Sequence, residues 1–382
     1  MGEAGAGLSP NSPSEWLVFS AVEKTGRLER GPRDVPPGLR TVRQVRAVLG
    51  GRLGTWLLAI LAVLVIGLVV VPKVVAGGYG FFVQILAFGV ANGAIFALIA
   101  LGYTMVYGII ELINFAHGDV FTLGAFVSLP LLSAFGLVEG KSSGAGLWFG
   151  LLAVFAITML IIGVLNMLIE RVAYRPLRHA PRLAPLITAV GMSFILEGIM
   201  YVWRGAFNIH YPDLLPGQRL PIGEGASIGV KDVLVVVVAV VLVGLFSIFI
   251  ARSRLGKAMR ATAQDRDAAA LVGIDIDQTI SATFFLGAIL AAAGGIIFGL
   301  YFNSVRFDQG FEAGLIAFTA AVFGGIGNIP GAALGGLIIG LIQAFSNAYF
   351  QAAWTDVVIF AILILVLVFR PTGLLGMAVP QK

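Results

Sequence analysis

VVAGGYGFFVQILAFGVANGAIFALIALGYTMVYGII, residues 74 to 110, contains no Asp, Glu, Lys or Arg. About 20 apolar residues cross a bilayer, so this run is long enough for one span with residues to spare. Equally uncharged runs lie between Arg52 and Lys73, Lys141 and Glu170, Asp277 and Arg306, and Glu312 and Asp356. With 58% apolar and 12% charged residues, the chain falls outside the range of soluble domains. It reads as an all-α polytopic membrane protein. Its 50 glycines suit membrane bundles, in which helices associate by close backbone approach.

Hydropathy places spans at 55–75, 81–109, 120–135, 147–169, 183–203, 233–251, 280–302, 314–324, 331–344 and 357–369. The expectation is therefore ~8–10 transmembrane helices, the short ones broken or re-entrant. Six of the 25 Lys and Arg (Lys73, Lys141, Arg204, Arg219, Lys231 and Arg306) then fall on one side. The others lie in the N-terminal tail, in ERVAYRPLRHAPR, between Arg252 and Arg266, and at Arg370 and Lys382. The positive-inside rule makes that richer side, with both termini, cytoplasmic. The net charge of +5 is thus spent on a membrane face and does not point to nucleic acid.

Residues 1–50, rich in Gly, Pro, Ser and charge, are expected to form a mobile basic tail. The segment 51–78 is an additional apolar span ending in VVAGG; its small residues resemble a signal-peptidase site, but the long tail before it favours an uncleaved span. The loop from Arg204 to Lys231 reads as an ordered cap, a docking surface or a plain connector. GYTMVYGIIELINFAHGDVFTLGAF (102–126) and AFTAAVFGGIGNIPGAALGGLIIG (317–340) share a span, a polar break and a small-residue span. They read either as an internal repeat of broken helices or as two tightly packed hairpins.

Catalytic signatures are missing. GLVEGKS (136–142) is one residue short of a phosphate loop and has no preceding strand, and there is no G-x-S-x-G or H-E-x-x-H pattern. There are no cysteines, and His117, His179 and His210 are far apart, so no metal site is expected. Energy for uphill transport must come from an ion gradient or another subunit. Ion coupling calls for carboxylates in mid-span, and these are few. Glu197 can contact a substrate amine or pair with Arg204, two turns further on. Glu111 and Asp119 flank INFAH, where the inner surface would hydrate them.

GKAMRATAQDRDAAALVGID, residues 256 to 275, is a charged, Ala-rich segment between two apolar ones. Asp265 or Asp267 can cap a helix, and Gly273 suits the left-handed turn that ends one. The expectation is a two-part surface helix with Ala268, Ala269 and Ala270 as a narrow contact face and Arg260, Asp265 and Arg266 setting register. By residues alone, a solvated loop helix, an interfacial anchor and a docking element are all open.

D-A-A-x-x-x-G at Asp267, Ala268, Ala269 and Gly273 resembles the E-A-A-x-x-x-G signature of ABC-importer permeases. MVYGIIELINFAHGD, ERVAYRPLRHAPRLAPLITAVGMS, SRLGKAMRATAQD and AFTAAVFGGIGNIPGA occur in the same order as in branched-chain amino-acid permeases of the LivH type, which the chain resembles from about residue 82 to 376. The tail and first span fall outside the match, and Asp267 stands where the signature has glutamate. The resemblance implies a non-enzymatic permease core over 79–376, a coupling segment at 252–277 and a short tail at 377–382. It implies a bacterial plasma-membrane protein in a lipid bilayer. Its partners would be a second permease of the LivM type, two ATPases of the LivG and LivF types and an extracytoplasmic substrate-binding protein. No cofactor would bind this chain, ATP and magnesium being held by the partners. Gly256, Arg260, Asp265, Arg266, Asp267, Ala268, Ala269 and Gly273 would couple to the ATPase. Asn92, Asn114, Phe115, His117, Glu197, Gly324, Gly325, Gly327 and Asn328 are the candidates for the solute pathway; Asn114 and His117 can instead simply cap their hairpin at the inner surface. Branched-chain amino acids are the expected cargo, with other amino acids, urea or short amides as alternatives, and ion-driven transport or a passive channel as rival classes.

Overall fold

A computed structural model describes residues 71–376 except 112, 179, 182, 223, 224, 351 and 371. The expected N-terminal tail, most of the segment 51–78 and the tail 377–382 lie outside the described residues. The described residues all belong to one unit, Leu57–Lys382.

Eleven α-helices follow in order among them: α1 Val71–Ile110, α2 Ala116–Ala134, α3 Gly144–Ile169, α4 Leu183–Arg204, α5 Val230–Arg252, α6 Arg254–Gln264, α7 Arg266–Leu271, α8 Ile276–Phe302, α9 Gln309–Gly324, α10 Ile329–Tyr349 and α11 Thr355–Phe369. Six are long and apolar enough to cross a membrane: α1, α3 with its continuation to Leu177, α4, α5, α8 and α10. The quoted run is α1, which departs from helical geometry at Gly78 within the VVAGG stretch.

The central helices α1 and α8 are buried over most of their length, while α4 and α5 turn much of their apolar surface outward, as lipid-facing helices do. Small residues decide which helices touch. Gly89, Gly93 and Ala97 on α1 meet Gly336, Gly340 and Ala344 on α10, each set spaced by four. A Cβ at Gly93 would come within 2.8 Å of the Leu337 Cα. Backbones therefore meet directly, and dispersion contacts hold the pair where no water is left to expel.

One end of the bundle carries a small β-cap. β1 (Ile209–His210) pairs antiparallel with β4 (Ser304–Val305), and β2 (Arg219–Pro221) with β3 (Ser227–Gly229). Tyr211 anchors it: fully buried, its hydroxyl lies 2.7 Å from Ser128 Oγ and its N–H donates to the Asn303 carbonyl at 3.0 Å. The described part of the loop expected as a cap, docking surface or connector thus includes a buried anchor. His210 Nε2 lies 2.9 Å from Glu139 Oε2, tying the cap to the α2–α3 loop, and this hydrogen bond holds the Glu139 carboxyl below its ordinary value.

Candidate functional site

The opposite end of the bundle holds the segment 252–277, folded as two short helices. Ser253 Oγ accepts from the Gly256 N–H at 2.9 Å and starts α6. Asp265, not Asp267, caps α7, accepting from the N–H groups of Asp267 and Ala268 at 2.9 and 3.0 Å. Gly273, at φ +84°, ends it, and Asp275 then caps α8 by accepting from Gln278 N–H at 2.9 Å.

Of the expected register charges, Arg260 and Arg266 point inward. Arg260 donates to the carbonyls of Ile250 at 2.5 Å and Ala251 at 3.3 Å, satisfying the orphan end of α5. Arg266 donates to the Ile109 carbonyl at 2.8 Å, in the last turn of α1. Gly256 packs against the Ile250 carbonyl, an approach that a side chain would block. The alanine face differs from expectation as well: Ala268 and Ala270 are exposed, but Ala269 is buried at 3% exposure against its own chain. The outward apolar tip is Leu271, 89% exposed, and Val272, 76% exposed. Both were missed in the sequence because they sit at the end of the Ala run and read as its continuation.

A polar cavity of about 380 Å³ lies between this element and the bundle, lined among others by Glu111, Arg178, Thr262, Gln264 and Arg266. Beside it Arg178 bridges buried Glu170 and Asp277, Arg175 also pairs with Asp277, and Ser281 Oγ donates to Glu170 at 2.5 Å. These bonds clamp the π-helical turn Glu170–Tyr174 to the start of α8.

The structure divides the pathway candidates into several places. Asn92 Nδ2 donates to Gln343 Oε1 at 2.5 Å across α1 and α10. Asn114 accepts from the Tyr174 hydroxyl at 2.8 Å, and Phe115 beside it is half-buried. Gly324, Gly325, Gly327 and Asn328 form a tight turn between α9 and α10. Gly325 and Gly327 have φ of +110° and +86°, and Asn328 accepts from Gly331 N–H at 3.1 Å. The segment 372–376 lies over that turn, with Leu375 N–H donating to Gly324 at 2.9 Å and Asn328 to the Leu375 carbonyl at 2.7 Å.

His117 and Asp119 are not at a hydrated surface. Gly102 and Gly287 flank the His117 ring, and Gly287 lies near the middle of α8. The chain turns at Glu111, whose φ is +58°, and α2, with His117 between Gly102 and Gly287, begins at mid-height. His117 and Asp119 are fully buried; Ser193 donates to Asp119 Oδ2, while Oδ1 and both His117 nitrogens have no hydrogen-bond partner among the described residues. The expected Glu197–Arg204 pair is not formed among the described residues: Arg204 stacks at 5.0 Å from the Trp203 ring centre.

α9 also starts at mid-height. Its Gly310 packs on Gly118 and Thr122 of α2, although Val305, only a few residues earlier, still pairs in the cap. The expected short span 314–324 is therefore the larger part of a half-helix running from the middle to one end.

A bundle of apolar helices with mid-height helix starts and a capped helix pair at one end fits a transport permease. The family model described as branched-chain amino acid transport system / permease component matches residues 85–367. The high-affinity branched-chain amino acid transport system permease protein LivH of Escherichia coli K12 is 43% identical over 306 residues, covering 79% of this chain and 98% of that protein. BraD of Pseudomonas aeruginosa, described in the same words, is 44% identical over 308 residues with the same coverage. A probable LivH from Methanocaldococcus jannaschii is 26% identical over 296 residues, covering 73% of this chain and 88% of that protein. No solved structure matches. The chain is a multi-pass membrane permease subunit of an ABC importer. It belongs to the family of branched-chain amino-acid transport permeases.

Proposed function

We propose that this permease forms one half of the translocation pathway of an ATP-driven importer for branched-chain amino acids. The other half is a second permease of the LivM type; two ATPases of the LivG and LivF types bind ATP and magnesium, and an extracytoplasmic protein delivers the solute. Both termini face the cytoplasm. The basic end of the bundle then carries the helix pair α6–α7 toward the ATPases, and the β-cap faces the binding protein.

The protruding α7 with its exposed Leu271 and Val272 is the observation that carries this reading. An apolar tip beyond a capped, charge-anchored helix suits a groove in a soluble partner. ATP binding would close the ATPase pair and shift α7, and Arg266 would pass that movement to α1. Co-purification tests it: the wild-type chain should retain both ATPases, and Leu271→Asp with Val272→Asp should release them while the permease stays in the membrane. Retention of the ATPases by that double variant would contradict the docking role.

A further inference from the structure

The two mid-height helix starts pack together through buried Gly118 and Gly310, and beside that contact lies partly exposed charge that lipid would not tolerate. Ser193, near the middle of α4, donates to buried Asp119, and Glu197 stands one turn further along the same helix. Opposite them, Asp308 precedes α9, and Glu312 lies exposed in its first turn. Tyr201, one turn beyond Glu197, packs its ring 5.3 Å from that of Phe307, the residue before Asp308, so α4 and the start of α9 are in contact. Arg306, half exposed and paired with Asp308, is the cation among these carboxylates. A charge facing hydrocarbon at mid-span costs about 2.5 to 3.5 kcal/mol on insertion scales. Glu197, Asp308 and Glu312, all at least partly exposed and with Arg306 beside them, call for water or a polar partner in front of them.

A second observation points to a ligand and not only to hydration. Asp119 and Thr122, one turn apart on α2, are fully buried, and neither Asp119 Oδ1 nor Thr122 Oγ1 has a hydrogen-bond partner among the described residues. Both residues abut Gly310, where a Cβ would come within 2.6 Å of Thr122 Oγ1 and 2.8 Å of the Asp119 Cα. Buried acceptors are normally satisfied, so two orphans side by side next to a charged face mark a place for a donor.

We infer that the face bearing Glu197, Asp308 and Glu312 is the water-filled wall of the solute path, and that Asp119, with Ser193 and Thr122, receives the primary ammonium group of the passing solute. The inference rests on the importer reading above and adds the chemistry of the path: it attracts a cationic head before the apolar side chain follows. Asp119, buried behind that wall, is the carboxylate worth most to an ammonium, because little water screens a pair formed there. The ammonium stays protonated and no bond is made or broken.

The test uses the assembled importer in vesicles, with cysteine-free partner subunits. Because this chain has no cysteine, Glu312→Cys, Asp308→Cys and the lipid-facing control Val240→Cys can be probed with cationic and anionic methanethiosulfonates of equal size. Cysteines on the wall should react about tenfold or more faster than Val240→Cys, because the reactive thiolate does not form in hydrocarbon, and the cationic reagent should outpace the anionic one. Wall cysteines as inert as Val240→Cys would overturn the inference, and the face would then be a dry interface with the second permease. At saturating loaded binding protein, Asp119→Asn should lower the maximal uptake rate about tenfold with Asp119→Glu largely restoring it, the pattern of a charge acting in the path. Equal loss in both variants at normal permease abundance would mean that Asp119 serves packing alone, which also overturns it. ATP-driven uptake by the unmodified complex is measured in the same vesicles; its absence would reject the importer reading, while thiol accessibility still reports on the wall.

Discussion

Arg266 of α7 donates its Nη2 hydrogen to the Ile109 carbonyl of α1 at 2.8 Å, joining the protruding helix to the last turn of the longest helix described. The carbonyls at a helix end lack intrahelical partners, so the guanidinium fills a need and also neutralises the negative end of the α1 dipole. Arg266→Ala should remove a charge-assisted hydrogen bond worth about 1.5–3 kcal/mol. The ATPases should remain bound, since Leu271 and Val272 are intact, while solute uptake falls and ATP hydrolysis becomes insensitive to loaded binding protein. Normal uptake by Arg266→Ala would show that force reaches the bundle by another route.

Ala269 and Leu271 should behave oppositely although two residues apart. Ala269→Arg places a long cation in a site that is 3% exposed and should reduce the abundance of the permease itself. Leu271→Asp changes a side chain that is 89% exposed and should leave abundance unchanged while weakening ATPase retention. Immunoblotting of membranes beside co-purification separates the two, and equal abundance of both variants would contradict the burial of Ala269.

Gly340 lies on Gly93 in the α1–α10 contact, with the Gly89 carbonyl 2.8 Å from where its Cβ would stand. Gly340→Leu should therefore separate the helices, costing about 1–3 kcal/mol or more. The expected readout is a lower thermal inactivation temperature in detergent, with Gly340→Ala intermediate. A Leu variant as stable as wild type would refute backbone contact at this crossing.

Sequence made the helical bundle visible because charge-free runs of spanning length have few other readings. It also showed the polar segment 256–275, its Gly273 stop and the choice of Asp265 or Asp267 as cap. Depth was hidden. Asp119 lies two residues beyond INFAH and reads as a surface residue, because nothing local says that α2 starts at the level of Gly287. Glu197 and Arg204, seven residues apart on one helix, look like a pair, yet the neighbouring Trp203 ring takes the guanidinium. Likewise Ala268, Ala269 and Ala270 look equivalent until neighbouring helices bury one of them. Each miss concerns tertiary position, which the periodicity of a nearly all-apolar segment does not encode.

Tyr211→Phe should loosen the β-cap by removing the hydroxyl contact with Ser128, a loss of about 1 kcal/mol for a neutral hydrogen bond. Hydrogen exchange in 205–222 should quicken while α8 stays protected. Unchanged exchange in the cap would show that the Tyr211 ring, not its hydroxyl, anchors it.

Reconstitution of the complete complex in vesicles, with ATP on the side of α7 and loaded binding protein on the side of the β-cap, is the most direct test. Labelled leucine should accumulate against its gradient only when ATP is present and hydrolysable, and collapse of the proton gradient at constant ATP should leave the rate unchanged. Accumulation without ATP, by this chain alone or on an imposed ion gradient, would contradict its assignment as the permease half of an ATP-driven importer.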